Sequence, residues 1–146
     1  MFTPVGMEES MTLTAAQIDL IRDSFHRLKP DVETASGLFY ERLFEIAPEL
    51  REMFRSDMAG QGMRFMSTLG VIVQHLDDPQ ALRPYLERLA QGHAADGVKP
   101  EHFHPMGQAL IRTMREALGE AFPESADTAW EAAYDHLARE MVQLAG

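Results

Sequence analysis

His93 stands on an apolar stripe set by Leu82, Leu86 and Leu89 at helical three- and four-residue spacing, shortly before Gly97 and Pro100. Leu89 lies four residues earlier, near a helix end where carbonyls lack intrahelical donors. Its oxygen is therefore placed to accept a hydrogen bond from one imidazole nitrogen while the other points into the core. A neutral imidazole held this way is an iron ligand, and it is equally a core histidine bonded to a carbonyl. Three other residues supply chemistry of a compatible kind. Tyr40 has Leu43 and Phe44 three and four residues on, so its hydroxyl faces inward, as a directed donor or as a core tyrosine with any acceptor. Phe54 is an aromatic at the corner that follows Pro48, sufficient by itself to anchor a loop. Gln61 opens the next periodic segment and is by itself a solvated first-turn amide.

The elements that must position these residues are all helical. Leu13-Thr14-Ala15-Ala16-Gln17-Ile18 is a helix start: Thr14 caps, Gln17 completes a capping box and Leu13 staples onto Ile18. Ile18, Ile21, Phe25 and Leu28 mark its buried face. A break at Pro30-Asp31 opens a second helix with Leu38, Phe39, Leu43 and Ile46 inward, and Ala47-Pro48 ends it. One short turn follows over Pro48 to Phe54. A helix then runs through Phe65, Met66, Leu69, Ile72 and Val73 to Asp77-Asp78-Pro79, and the helix bearing His93 comes next. Two long helices close the chain, from about Glu101 to Leu118 and from Ser125 to Leu144. No run of alternating β-branched residues and no repeat of 20 to 50 residues occurs.

Composition limits the partners. The chain has 146 residues, 13 Lys plus Arg against 23 Asp plus Glu, and a formal charge of −10, so nucleic acid and anionic membranes are excluded as partners. It contains no cysteine, which leaves His, carboxylates or a bound cofactor for any metal chemistry. No stretch reaches the roughly 18 apolar residues of a membrane span, and the first residues lack a signal-peptide pattern. The expectation is a disordered lead over residues 1–11, one domain over 12–146, and a cytoplasmic protein. His102 and His104 form an H-x-H pair at a helix start, read as surface or cap-adjacent residues, with His26, His75 and His136 solvent-facing or partly buried. Gly60-Gln61-Gly62 does not make a dinucleotide fingerprint, because Phe65 holds the third glycine position and no strand precedes it.

The order Phe39-Tyr40-Glu41-Arg42-Leu43-Phe44, then Pro48 to Phe54, then Gln61, then His93 thirty-two positions later, resembles the globins. The likeness is to single-domain bacterial haemoglobins and the haem domain of flavohaemoglobins. It extends from Leu13 to Leu144 and includes Ala129-Trp130-Glu131-Ala132-Ala133-Tyr134 on the last helix. The resemblance implies a globin fold of six to eight helices packed around haem b. It makes His93 the proximal iron ligand and Phe54 the ring packed on the porphyrin. Tyr40 and Gln61 become the distal pair, with Phe65 and Leu69 walling their side, and Leu89, Val98, Phe103 and Leu110 lie on the proximal side and floor. Arg64 reaches a haem propionate or remains a solvated arginine. Gly62, opposite Ser36-Gly37, lets the second and distal helices cross closely.

Two positions depart from the flavohaemoglobin pattern. The tyrosine and glutamate that reinforce the proximal histidine in that family fall on Phe103, ten residues after His93, and Ala145, fifty-two after it. Neither can take part in such a relay, which disfavours peroxidase-like chemistry. The implied function is reversible dioxygen binding at pentacoordinate iron, for storage, delivery or sensing, with carbon monoxide and nitric oxide as further ligands. Nitric oxide dioxygenation, served by an external reductase, is the enzymatic alternative, and a haem-free interaction domain is a third. Donors aimed at partly charged dioxygen are worth on the order of 1.5–3 kcal/mol in a dry pocket, roughly ten- to a hundredfold in escape rate. The expected oligomeric state is a monomer or weak homodimer.

Overall fold

Thr14 and Gln17 exchange hydrogen bonds, Gln17 N to Thr14 Oγ1 at 3.1 Å and Thr14 N to Gln17 Oε1 at 2.9 Å, which satisfies two donors that a helix start leaves bare. This capping box opens α1, Ala15–Leu28. The computed structural model describes residues 13–54, 58–95 and 99–145, so the expected N-terminal lead lies outside the described residues. A 3₁₀ turn over Lys29–Asp31, with Pro30 inside it, leads to α2, Val32–Ile46. Pro48 stops that helix, and a second 3₁₀ stretch covers Pro48–Phe54. Helix α3 is Met58–Gln74 and α4 is Pro79–Ala95; after a turn at Pro100–His102 come α5, Phe103–Leu118, and α6, Glu124–Ala145. Gly119, at φ 55°, makes the turn out of α5 that an L side chain resists. The architecture is all-α, and the described residues contain no strand.

Each helix buries the face its periodicity marks. Ile18, Ile21, Phe25 and Leu28 are buried on α1, and Phe39, Tyr40, Leu43 and Phe44 on α2. Leu82, Leu86 and Ala90 form the buried line of α4. On α6 the small residues Ala126, Ala129 and Ala133 let the backbone approach its neighbours around the one large core side chain of that stretch, Trp130. Helix α2 packs on α3 and α5, and α1 on α6, α5 and α3. Helix α4 takes α6 as its main neighbour, so α3 and α4 stand in separate packing partnerships.

Polar groups inside this core are matched. The Trp130 indole donates to Ser24 Oγ at 2.7 Å, and the Ser24 hydroxyl lies 2.8 Å from the Leu20 carbonyl and 3.0 Å from that of Ile21. One buried serine thus links α1 to α6. At the molecular edge, Arg22 on α1 donates to the Val73 and Gln74 carbonyls at the end of α3 and to Asp77, at 3.2, 2.9 and 3.0 Å. It satisfies carbonyls that the helix end leaves bare. Arg42 on α2 grips Glu116 on α5 with two bonds, at 2.8 and 3.0 Å, and donates to Glu45 at 2.8 Å. That fork fixes the helix bearing Tyr40 against α5.

These clamps set an acid limit to stability. The guanidinium of Arg42 holds the Glu116 carboxyl below its ordinary range, and Arg22 does the same to Asp77. A carboxyl lowered on folding contributes in full above its unfolded value, about 4.3 for Glu and 3.9 for Asp. The contribution is lost as pH falls through the lower folded value. Stability is therefore expected to drop below about pH 4. Glu116→Gln should flatten that limb while lowering stability at neutral pH, as followed by circular dichroism across an acid titration.

Candidate functional site

Tyr40 is placed by a run of aromatic contacts on α2 and α3. Phe39 stacks on Phe65 with ring centres 4.4 Å apart and 13° between planes, and meets Tyr40 edge-on at 5.1 Å. Tyr40 in turn lies along Phe44 at 5.9 Å, and the Arg51 guanidinium caps the Phe44 ring at 4.7 Å. Four rings are thus locked in register from an exposed cation to the wall of α3. The crossing of the two helices is set by Gly62. A Cβ there would stand 2.8 Å from Ser36 Cβ, closer than real carbon contacts allow, and a tight 3.3 Å from Tyr40 Cε2. The expected close crossing exists at Ser36, whereas Gly37 is exposed with nothing near its Cβ position, so only one of the pair makes it.

The Tyr40 side chain is buried, at 6 % exposure. Burial pushes its hydroxyl above the usual tyrosine range, and the nearby Arg64 charge partly opposes that. It remains a protonated donor at neutral pH. Arg64 itself is exposed, Phe65 is half-buried and Leu69 is buried, all on α3. Gln61 lies on α3 and His93 on α4 by their backbones, but their side chains, with that of Phe54, lie outside the described structure, as does Val98 entirely. Leu89 is half-buried one turn before His93. Elsewhere in the chain the expected histidine geometry does occur: His75 Nδ1 is 2.9 Å from the Val71 carbonyl, four residues back.

On α5, Leu110 is fully buried and Phe103 half-buried. The Phe103 carbonyl accepts a hydrogen bond from Tyr134 Oη at 2.8 Å, and burial pushes the Tyr134 hydroxyl up so that it stays protonated. Gly107 makes room for that ring, since a Cβ there would stand 2.5 Å from Tyr134 Cε2. Neither contact was visible as a pair in the sequence, although a glycine inside a helix as amphipathic as α5 is the kind of signal that marks a close approach. His102 Nδ1 accepts from Lys99 N at 3.0 Å, so this residue, expected only at the surface or beside a cap, is itself part of one, and His104 is exposed. Among the described residues no group of three or more His, Asp or Glu is arranged to hold a metal ion. No helix among them is long and apolar enough to cross a membrane.

The residues whose side chains are described suit a flat apolar macrocycle with a small polar ligand on one side. Tyr40 offers a buried donor next to Phe65 and Leu69 on the α2–α3 side. Leu89 and Phe103, both half-buried, offer apolar surface from α4 and α5, and Leu110 is fully buried behind them in the core. Because α3 and α4 belong to different packing partnerships, the two sides are carried by helices that need not touch.

A family model described as Globin matches residues 37–141. A flavohemoprotein of Bordetella parapertussis is 35% identical over 82% of this chain and 30% of its own length. Another from Vibrio cholerae is 29% identical over 92% of this chain and 35% of its own. A Brassica napus protein named an anaerobic nitrite reductase is 30% identical over 88% of this chain and 89% of its own. The chain spans about a third of the length of the flavohemoproteins it matches.

The α2–α3 crossing yields a paired expectation. Gly62→Ala should destabilise by about 1–3 kcal/mol, because the Ser36 backbone side cannot yield cheaply. Gly37→Ala should be neutral or stabilising by up to about 1 kcal/mol, from helix propensity alone. Urea unfolding of both variants decides it, and equal effects would mean that the crossing is not tight.

Proposed function

Since the chain belongs to the globin family, we propose that residues 12–146 form one domain that holds haem b between α3 and α4 and binds dioxygen reversibly. We assign His93 as the iron ligand, Tyr40 and Gln61 as donors to the bound gas, and Phe54 as the ring against the macrocycle. Phe65 and Leu69 wall the donor side; Leu89, Val98, Phe103 and Leu110 form the other side, and Arg64 meets a propionate. Haem, when bound, supplies an iron with one position open to dioxygen, carbon monoxide or nitric oxide. The observation that carries the reading is Tyr40: a buried hydroxyl kept protonated, fixed by its neighbouring rings and by the Gly62 crossing.

The chain's own groups then divide the work. Tyr40 and Gln61 donate to a ligand that gains negative charge, which favours dioxygen over the less polarised carbon monoxide. Phe65 and Leu69 exclude water and so strengthen those bonds. On the other side, His93 relies on the Leu89 carbonyl for its orientation, in the four-residue geometry that His75 and Val71 display. Phe103 contributes no hydroxyl there, which favours binding over peroxide chemistry. A separate reductase in the cytoplasm is the partner this reading implies for repeated use.

The test is spectroscopic. Purified ferrous protein should show a five-coordinate spectrum and a stable oxygenated form. Tyr40→Phe should speed dioxygen release roughly tenfold or more and carbon monoxide release much less. A six-coordinate low-spin ferrous spectrum without added ligand, or unchanged dioxygen release in Tyr40→Phe, overturns the reading. Sustained nitrate formation from nitric oxide with a cellular reductase, beyond a single turnover, would reassign the protein as a nitric oxide dioxygenase.

A further inference from the structure

A groove of 560 Å³ runs along the α5–α6 junction, bounded at one end by Ile46 of α2. Its floor is the Tyr134 ring lying on Gly107, with Ile111 beside it. Its two walls carry opposite charge. Arg112 and Arg115 line it from α5, and Glu131 and Asp135, one turn apart, line it from α6. In a chain of net charge −10, a paired row of this kind is not a by-product of general acidity. The charges are also incompletely matched within the chain. Arg115 pairs with Asp127 and reaches Glu131 only at 3.9 Å, while the ion pair of Arg112 is with Glu45 at 3.7 Å. Loss of water on its inner side and the neighbouring Asp127 push the Glu131 carboxyl above its ordinary range, and Arg115 opposes that only in part.

We propose that a second copy of this chain seats on the groove, forming a homodimer whose twofold axis runs along it. That axis lays α5 of each protomer over α6 of the other, so each basic wall faces an acidic one. An axis across the groove would instead set guanidinium against guanidinium. The register follows from contacts within one chain. Arg115 stands beside Asp127, and Gly107 beside Tyr134, so Arg112 is level with the turn that holds Glu131. A twofold axis along the groove keeps that level, and Arg112 of one protomer meets Glu131 of the partner subunit.

The size of the surface sets the strength. Helix α5 has 16 residues and is about 24 Å long, and a face two helices wide gives roughly 500 Å² per protomer. Stable complexes bury about 800 Å² per partner, so this dimer is weak, concentration-dependent and sensitive to salt. The half-buried Ile46 and Tyr134 supply its apolar contact.

Analytical ultracentrifugation of the full chain, up to about 1 mM and at low and about 0.5 M salt, is the test. Wild-type protein should self-associate at low salt, with a dissociation constant at least about tenfold weaker at high salt. Arg112→Glu and Glu131→Arg, both at exposed positions, should each weaken the dimer about tenfold or more while keeping the wild-type circular dichroism. An equimolar mixture of the two variants should recover wild-type affinity, because the exchanged charges meet across the axis. Wild-type protein that stays monomeric, single variants that associate like wild type, or a mixture no tighter than its components each overturn the proposal; a monomer would leave the groove to a different partner.

Discussion

The approach of α3 to α2 at Gly62 is the constraint on which the candidate site rests. No side chain separates the two backbones there, since any Cβ would meet Ser36. That contact brings the rings of α2 against α3, lets Phe39 stack on Phe65, and aims Tyr40 along the junction rather than out of it. A donor only about an ångström out of place loses most of a hydrogen bond, whose strength falls steeply with distance and angle. The packing density of the crossing is therefore a chemical property as well as a structural one.

Charged groups act here chiefly as fasteners. Arg22 closes the end of α3, Arg42 binds α2 to α5, and Arg115 binds α5 to α6. The first two join segments 51 and 74 positions apart, and the third ties consecutive helices. Isolated pairs at a solvated surface are worth little. A forked guanidinium that satisfies two atoms at once adds direction, and direction is what helix packing by apolar side chains leaves underdetermined. The fasteners hold the helices that the apolar core brings together, while the excess of negative charge remains on the outside.

Local signals were legible in the sequence. The capping box at Thr14 and Gln17, the stops at Pro30 and Pro48, and the inward face of α1 follow from spacing and backbone chemistry, and the structure has them. On α2 Phe39 and Leu43 are buried as expected, while Leu38 and Ile46 are only half-buried and Tyr40 and Phe44 take the core positions. The close crossing at Gly62 was also readable, but not that Ser36 rather than Gly37 makes it, because that depends on the rotation of α2. The bond from Trp130 to Ser24 spans 106 positions, and that from Arg42 to Glu116 spans 74. No periodicity encodes such pairs. The Tyr134 bond to the Phe103 carbonyl is hidden for a further reason: its acceptor is backbone and carries no residue signature. The roles of His93, Gln61, Phe54 and Val98 came from likeness to a family rather than from spacing, since each alone has an ordinary structural explanation.

Helix α4 depends mainly on one neighbour, α6, and carries Pro84 within its own length, which removes a backbone donor from its hydrogen-bond ladder. The rest of the bundle is cross-braced, with α1, α2, α3 and α5 each held by several partners. Cooperativity is accordingly uneven. Among the described helices α4 has the least bracing, and a ligand seated as proposed between α3 and α4 would stabilise it by mass action. Amide exchange in α4 would then be a gauge of occupancy, tying the order of one helix to the presence of the proposed ligand.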